Sequence, residues 1–244
     1  DETALLSARL QDVHPDGASL NVSYGLLNIS QRHGSADPRP FPRGGRETVR
    51  LRLNDIAHAF PAGHRIRIAV STSFWPLAWP SPRHAPVTLN TEGSRLILPV
   101  LSSEKDLPKP RQFGPAIAEE SGALIVHASG GRTRTTEQDP ASGETLVHVH
   151  RAKSDYRVQA TGTEVSHQSG EIFRITRESP NSARVEGWAD WSLSRGGWNV
   201  RTKSQLVLAS TENTFELSAS MEAYEGDNLA TTRHGAFSIP RRLC

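Results

Sequence analysis

The sequence predicts an all-β protein: a jelly-roll sandwich over residues 1–101, a linker over 102–116 and a second antiparallel β-sheet domain over 117–244. Three observations lead there. In Arg65-Ile66-Arg67-Ile68-Ala69-Val70 the aliphatic and basic residues alternate, the period of two of a strand with one face buried. Turn-forming Pro and Gly clusters recur about every ten residues up to Val100, the spacing of a Greek-key or jelly-roll sandwich. Beyond residue 117 the alternating runs lengthen and are separated by hairpin-length turns, as in an up-and-down sheet that curls over one apolar face.

Taken in order, Leu5 to Leu10 reads as a strand and His14-Pro15-Asp16-Gly17 as a tight turn. Leu20, Val22 and Tyr24 then alternate with Asn21 and Ser23, and Gly25 is placed to bulge the strand before Leu26 to Ile29. Residues 31–46 carry Pro, Gly and Arg without apolar period and form a loop. Val49 to Leu53 alternates again, Asn54 to Phe60 suits a short helical turn, and Pro61-Ala62-Gly63 turns the chain into Arg65–Ser71. The segment Phe74-Trp75-Pro76-Leu77-Ala78-Trp79-Pro80-Ser81-Pro82 holds three prolines, which rule out a helix or a central strand. Its aromatic rings therefore sit on a stiff loop or cover a sheet end. Pro86 to Leu89 and Arg95 to Val100 complete the first domain. In the second, strands are expected at Gly122–Ser129, Glu144–Arg151, Glu164–Thr176, Ala183–Leu193, Trp198–Leu208, Thr214–Ala223 and Ala230–Ile239. The turns 194–197, 210–213 and 225–228 join the last four.

Composition excludes several function classes. A net charge of +2 with scattered Lys and Arg leaves no electrostatic footprint for nucleic acid. No run approaches the ~18 apolar residues of a membrane span, and no segment reads as a signal peptide. The single Cys, Cys244, excludes an internal disulfide framework and fits a reducing cytoplasm. With no initiator Met and strand-like residues from Ala4 onward, the sequence reads as a piece of a longer polypeptide.

The residues that bear chemistry point away from catalysis by this chain. No Gly-x-Ser-x-Gly nucleophile elbow occurs, and Ser94, Ser129 and Ser142 beside glycines read as turn serines. His148 and His150 share a strand face at a spacing two metal ligands can use, but alternation with Val147 and Val149 marks a solvated face. His58 and His64 flank the Phe60–Gly63 turn and read as imidazoles bonded to loop backbone. The acidic spacing of Asp12 to Asp16 is wrong for a calcium loop. Asn21-Val22-Ser23 and Asn28-Ile29-Ser30 match glycosylation sequons, as chance allows in a Ser-rich chain. No catalytic residue, metal ligand or cofactor is assigned.

Four strings together resemble a known family: Asp12 to Gly25, Ala57 to Arg67, Ser73 to Pro82, and late in the chain Glu222-Ala223-Tyr224-Glu225-Gly226-Asp227 with Ile239-Pro240-Arg241. They look like the C-terminal region of bacterial hydrolases related to cocaine esterase and X-prolyl dipeptidyl-peptidase. The resemblance implies a galactose-binding-like jelly roll with an extra C-terminal β domain, in which an α/β-hydrolase domain carrying a Ser-Asp-His triad comes first and the jelly roll packs beside its acyl pocket. That catalytic domain is absent from this sequence, and the jelly roll's leading strands are expected to precede Asp1. An incomplete sheet edge of that kind invites pairing with a second copy.

The reading is therefore a non-catalytic accessory region that covers an upstream α/β-hydrolase domain of the same polypeptide and shapes its pocket. Homo-oligomers are possible under it, and neither nucleic acid nor membrane is a partner. The alternative from another class is a carbohydrate-binding module with Trp75 and Trp79 as stacking platforms; the resemblance favours those rings packing a sandwich end or an interdomain contact. A stand-alone β-sandwich interaction protein is the third option. Tyr224-Glu225-Gly226-Asp227 reads as a hairpin turn.

Overall fold

A computed structural model of the chain describes residues 2–84, 86–101, 111–116 and 124–243. Most of the expected linker, the start of the strand expected at Gly122, and Cys244 lie outside the described residues. Among the described residues there are two antiparallel sheets, one 3-10 turn and no α-helix, so the all-β class holds.

The smaller sheet has three strands in the order β2-β1-β3: β1 Leu5–Val13, β2 Ser19–Asn28 and β3 Arg65–Ser71. The His14–Gly17 turn joins the first pair, with Gly17 N–H donating to the His14 carbonyl. Strand β2 runs through Gly25 without a bulge, and the register instead shifts between Leu10 and Gln11. What Gly25 provides is close approach: a Cβ there would stand 2.1 Å from the Arg52 carbonyl oxygen. The chain from Val49 to Asn54 thus lies against β2, tied by Asn54 N–H to Tyr24 O and by Ser23 Oγ–H to Asn54 O.

Those ties do not make a ladder, and the strands expected at Val49–Leu53, Pro86–Leu89 and Arg95–Val100 are extended chain without sheet pairing. The helical turn expected at Asn54–Phe60 does not form either. Alternation fixes which face a side chain takes, but a strand also needs a neighbour to take up its N–H and C=O groups. On β3 the expected burial of the aliphatic face does not occur: Ile66, Ile68 and Val70 are 51, 38 and 42% exposed, while Ala69 and Ser71 on the other face are the half-buried positions. The core of this half is Ala4, Leu6 and Ile29, packed by Phe41, Val49, Leu51 and Val87.

The larger sheet has strands in the order β11-β10-β9-β8-β7-β6-β4, with β5 also paired to β6. Its members are β4 Leu124–Ala128, β5 Arg132–Gln138, β6 Glu144–Val158, β7 Thr163–Thr176, β8 Ser179–Arg195, β9 Trp198–Ser210, β10 Thr214–Glu225 and β11 Asn228–Pro240. From β6 to β11 each strand pairs with the next, the expected up-and-down meander. The register aligns Val147, Phe173, Val185, Leu208, Leu217 and Phe237 in one cross-strand row. Three residues further along β6 and on the opposite face, the row is His150, Gly170, Trp188, Gln205, Ser220 and His234. One face is thus apolar and the other carries polar and charged groups, as strand periodicity requires. Strand β5, rich in Thr and Arg and exposed throughout, was not expected; it exists because half of the long β6 offers it a free edge.

Candidate functional site

The Trp-Pro loop sits between the two sheets and touches both. Phe74 packs on Tyr24 of β2 with ring centroids 5.0 Å apart. Trp75 and Trp79 meet edge to face at 5.3 Å, and each also meets a ring of the large sheet: Trp75 with Phe173 at 6.1 Å, Trp79 with Phe215 at 5.8 Å. Both indoles are half-buried. The Trp79 N–H donates to Ser210 Oγ at 2.8 Å, whereas the buried Trp75 N–H has no partner among the described residues. The loop turns at 75–78, closed by Ala78 N–H to Phe74 O, and two carbonyls after the turn take bonds from the other half of the chain: Arg241, just past β11, donates to Pro80 O at 2.6 Å and Asn181 of β8 to Pro82 O at 2.9 Å. Arg241 also lies over the Phe215 ring at 4.7 Å, and Arg83 pairs with Glu212.

The C-terminal segment closes the same joint from the other side. Asn28 caps the 3-10 turn Ile29–Gln31 by accepting from Ser30 N–H, and both Asn28 Nδ2 and Ser30 Oγ donate to the Leu243 carbonyl at 2.7 Å. The Asn28 sequon is therefore occupied by structural hydrogen bonds.

A second constellation stands at the other end of the small sheet. Asp12, at the end of β1 and only 2% exposed, accepts from His64 Nδ1 at 2.8 Å on one oxygen and from His58 Nε2 at 3.0 Å on the other. Burial by itself would raise the Asp12 carboxyl, but the hydrogen bonds from His58 and His64, with the nearby charge of His64 and His14, hold it below the usual carboxylate range. His14 stacks obliquely on His64, ring centroids 4.5 Å apart. Backbone turns set these rings: His64 N–H donates to Pro61 O across Gly63, whose φ of +85° suits glycine, and His14 N–H donates to Ala18 O. The expectation that His58 and His64 bond to loop backbone is thus corrected; their partner is a carboxylate 46 and 52 residues upstream.

Other candidates stay apart. His150 packs against Trp188 at 5.9 Å, and His148 beside it gains no carboxylate neighbour that makes a ligand group. Ser142 caps a turn by donating to Asp139 at 2.6 Å, and Ser94 donates to Asn90 O. Tyr224–Asp227 belongs to the β10–β11 hairpin, with Glu225 paired to Asn228. Sequence reading missed Asp12 and Arg241, since nothing near either residue signals partners that arrive from far along the chain.

Comparison with known proteins bears on this arrangement. Residues 1–137 match the model of the X-Pro dipeptidyl-peptidase C-terminal non-catalytic domain. No curated protein and no solved structure matches the chain. The matched stretch takes in the Asp12 cluster, the Trp-Pro loop and the whole small sheet before ending in β5, and by that span, more than half of the 244 residues, the chain belongs to the family of X-Pro dipeptidyl-peptidase C-terminal non-catalytic domains.

Proposed function

We propose that this chain is the accessory region of an α/β-hydrolase of the X-Pro dipeptidyl-peptidase and cocaine-esterase type, covering the catalytic domain of the same polypeptide and shaping its acyl pocket. The match to a non-catalytic family domain carries the reading. Two features support it. No nucleophile elbow is present in the sequence, so a serine activated by a strained strand-to-helix turn has to come from another domain. The Trp-Pro loop is held from both sides by packing and hydrogen bonds, which makes the two sheets a firm cover. In this reading the nucleophile, general base and oxyanion donors all belong to the partner domain, and the substrate is an ester or amide cleaved through an acyl-enzyme.

The test is turnover. The purified chain should leave a p-nitrophenyl ester and an X-Pro p-nitroanilide untouched, and should restore or raise activity when co-expressed with the hydrolase domain encoded beside it. Turnover by the chain alone that a serine-directed inactivator abolishes would overturn the proposal. Saturable glycan binding that Trp75→Ala or Trp79→Ala removes without unfolding would replace it with the carbohydrate-binding reading.

A further inference from the structure

The geometry points to a divalent transition-metal site of the zinc type formed by Asp12, His14 and His64, clamping the two turns at one end of the small sheet. One ligand atom from each of the three side chains lies within 4.8 Å of the others. Among the described residues no other group of three His, Cys, Asp or Glu side chains converges in this way. Zinc takes imidazole nitrogen and carboxylate oxygen at about 2.0–2.2 Å, so ligand atoms around one ion stand roughly 3.3 Å apart. The Asp12–His64 pair, at 2.8 Å, has to open slightly to that spacing, and the half-exposed His14 ring, its ligand atom within 4.8 Å of the other two, has to close to it. Two imidazoles and one carboxylate leave a further position for water, a donor set that suits zinc, nickel, cobalt or ferrous iron.

The surroundings fit a held ion. Asp12 is fixed in position by the ladder on both sides, pairing with Leu20 and Ile66. Its second oxygen accepts from His58, the kind of outer hydrogen bond that orients a metal-binding carboxylate. The turns carrying His14 and His64 lie against each other, since a Cβ on Gly63 would be 3.8 Å from Pro15 Cγ. Loading requires His64 Nδ1 to present a lone pair in place of its proton, which either moves to Nε2 or leaves to solvent as the ion enters. The hydrogen bond from His64 Nδ1 to Asp12 is lost with that proton, and three bonds to the ion replace three that it made to water.

His14 separates this inference from a plain hydrogen-bonded cluster, because its ring is within ligand reach yet bonds to neither oxygen of Asp12. The full chain, stripped with chelator, is titrated with zinc sulfate by calorimetry and with cobalt chloride in the visible range. The expected result is one equivalent bound, visible cobalt d–d bands, and a loss of at least tenfold in affinity for His14→Ala and His64→Ala, with His58→Gln weaker by about tenfold. The His148→Ala/His150→Ala double variant should bind as the parent does. Absence of one-equivalent uptake, or uptake that His14→Ala leaves unchanged while its circular dichroism matches the parent, overturns the site. If His64→Ala fails to fold, His14→Ala alone decides.

Discussion

Replacing each of the two loop tryptophans by phenylalanine should have opposite consequences, although they lie side by side. Both substitutions keep an aromatic ring against Phe173 or Phe215 and give up the pyrrole portion, roughly 40 Å² of apolar surface or about 1 kcal/mol. Trp79→Phe also loses the bond to Ser210, a net contribution of about 1 kcal/mol. Ser210 keeps Arg241 as a donor at 3.2 Å, so no orphaned acceptor adds to the cost. The total is a loss of about 2 kcal/mol. Trp75→Phe removes a buried N–H that has no partner, and relief of about 1–3 kcal/mol offsets the lost area or exceeds it. The two variants should therefore differ by about 2 kcal/mol or more, with Trp75→Phe near the parent or above it. Urea midpoints at unchanged slope give the global difference, and hydrogen exchange over residues 74–82 reads the loop itself. Trp75→Phe proving as costly as Trp79→Phe would refute the reasoning, since the Trp75 N–H would then be bonded and not stranded.

Two further outcomes follow from the same packing. Gly25→Ala should destabilise the small half by at least 1–3 kcal/mol, because its Cβ would meet the Arg52 carbonyl and push the 49–54 segment off β2; a thermal midpoint equal to the parent's would count against that close approach. Asp190 is held below the usual carboxylate range first by its hydrogen bond from Arg201, with which it forms an ion pair diagonally across β8 and β9. A carboxyl whose folded pKa is depressed contributes stability that is present above its unfolded value near 3.9 and is lost as pH falls through the lower folded value. Asp190→Asn should thus cost about 0.5–1 kcal/mol at neutral pH, with the cost shrinking as pH falls below the unfolded value, measured by denaturation midpoints across that range.

The legible part of the fold was the part whose own neighbours in sequence become its neighbours in space. In β9 and β10 the alternation of Trp198 to Leu208 and Phe215 to Ala223 was plain, and the turns between strands pinned their register. In β6 the pattern failed after Arg151, where a register shift between Arg151 and Ser154 interrupts the pairing with β7, so only the first half was foreseen. Val49–Leu53 shows the converse error: its aliphatic face is real and Leu51 does reach the core, but the segment lies against β2 without forming a ladder with it. The Trp-Pro loop was recognised as stiff and aromatic from its own residues, while its hydrogen-bond partners Ser210, Asn181 and Arg241 come from about 100 residues or more downstream. Asp12 was weighed only as the start of a calcium loop, which its acidic spacing excludes, since its two histidines arrive only when β3 closes against β1.

The joint between the sheets explains how a family domain and an additional sheet can act as one accessory body. The small sheet, the 3-10 turn and the Trp-Pro loop all lie within the stretch matched to the non-catalytic family domain, whereas Phe173, Ser210, Phe215, Arg241 and Leu243 lie beyond it. Every contact that holds the loop to the large sheet therefore crosses from the matched stretch into the rest of the chain. The crossing is made by aromatic edges and by hydrogen bonds to the Pro80 and Pro82 carbonyls. Large interdomain motion is the default when two units share only a small polar contact. Here the aromatic rings meet across the joint, an arrangement that resists hinge opening because separation would expose indole surface and break the Arg241 bond to the Pro80 carbonyl. The added sheet thus stiffens the loop that the small sheet presents, and any partner domain that docks on the small sheet meets a surface set by both.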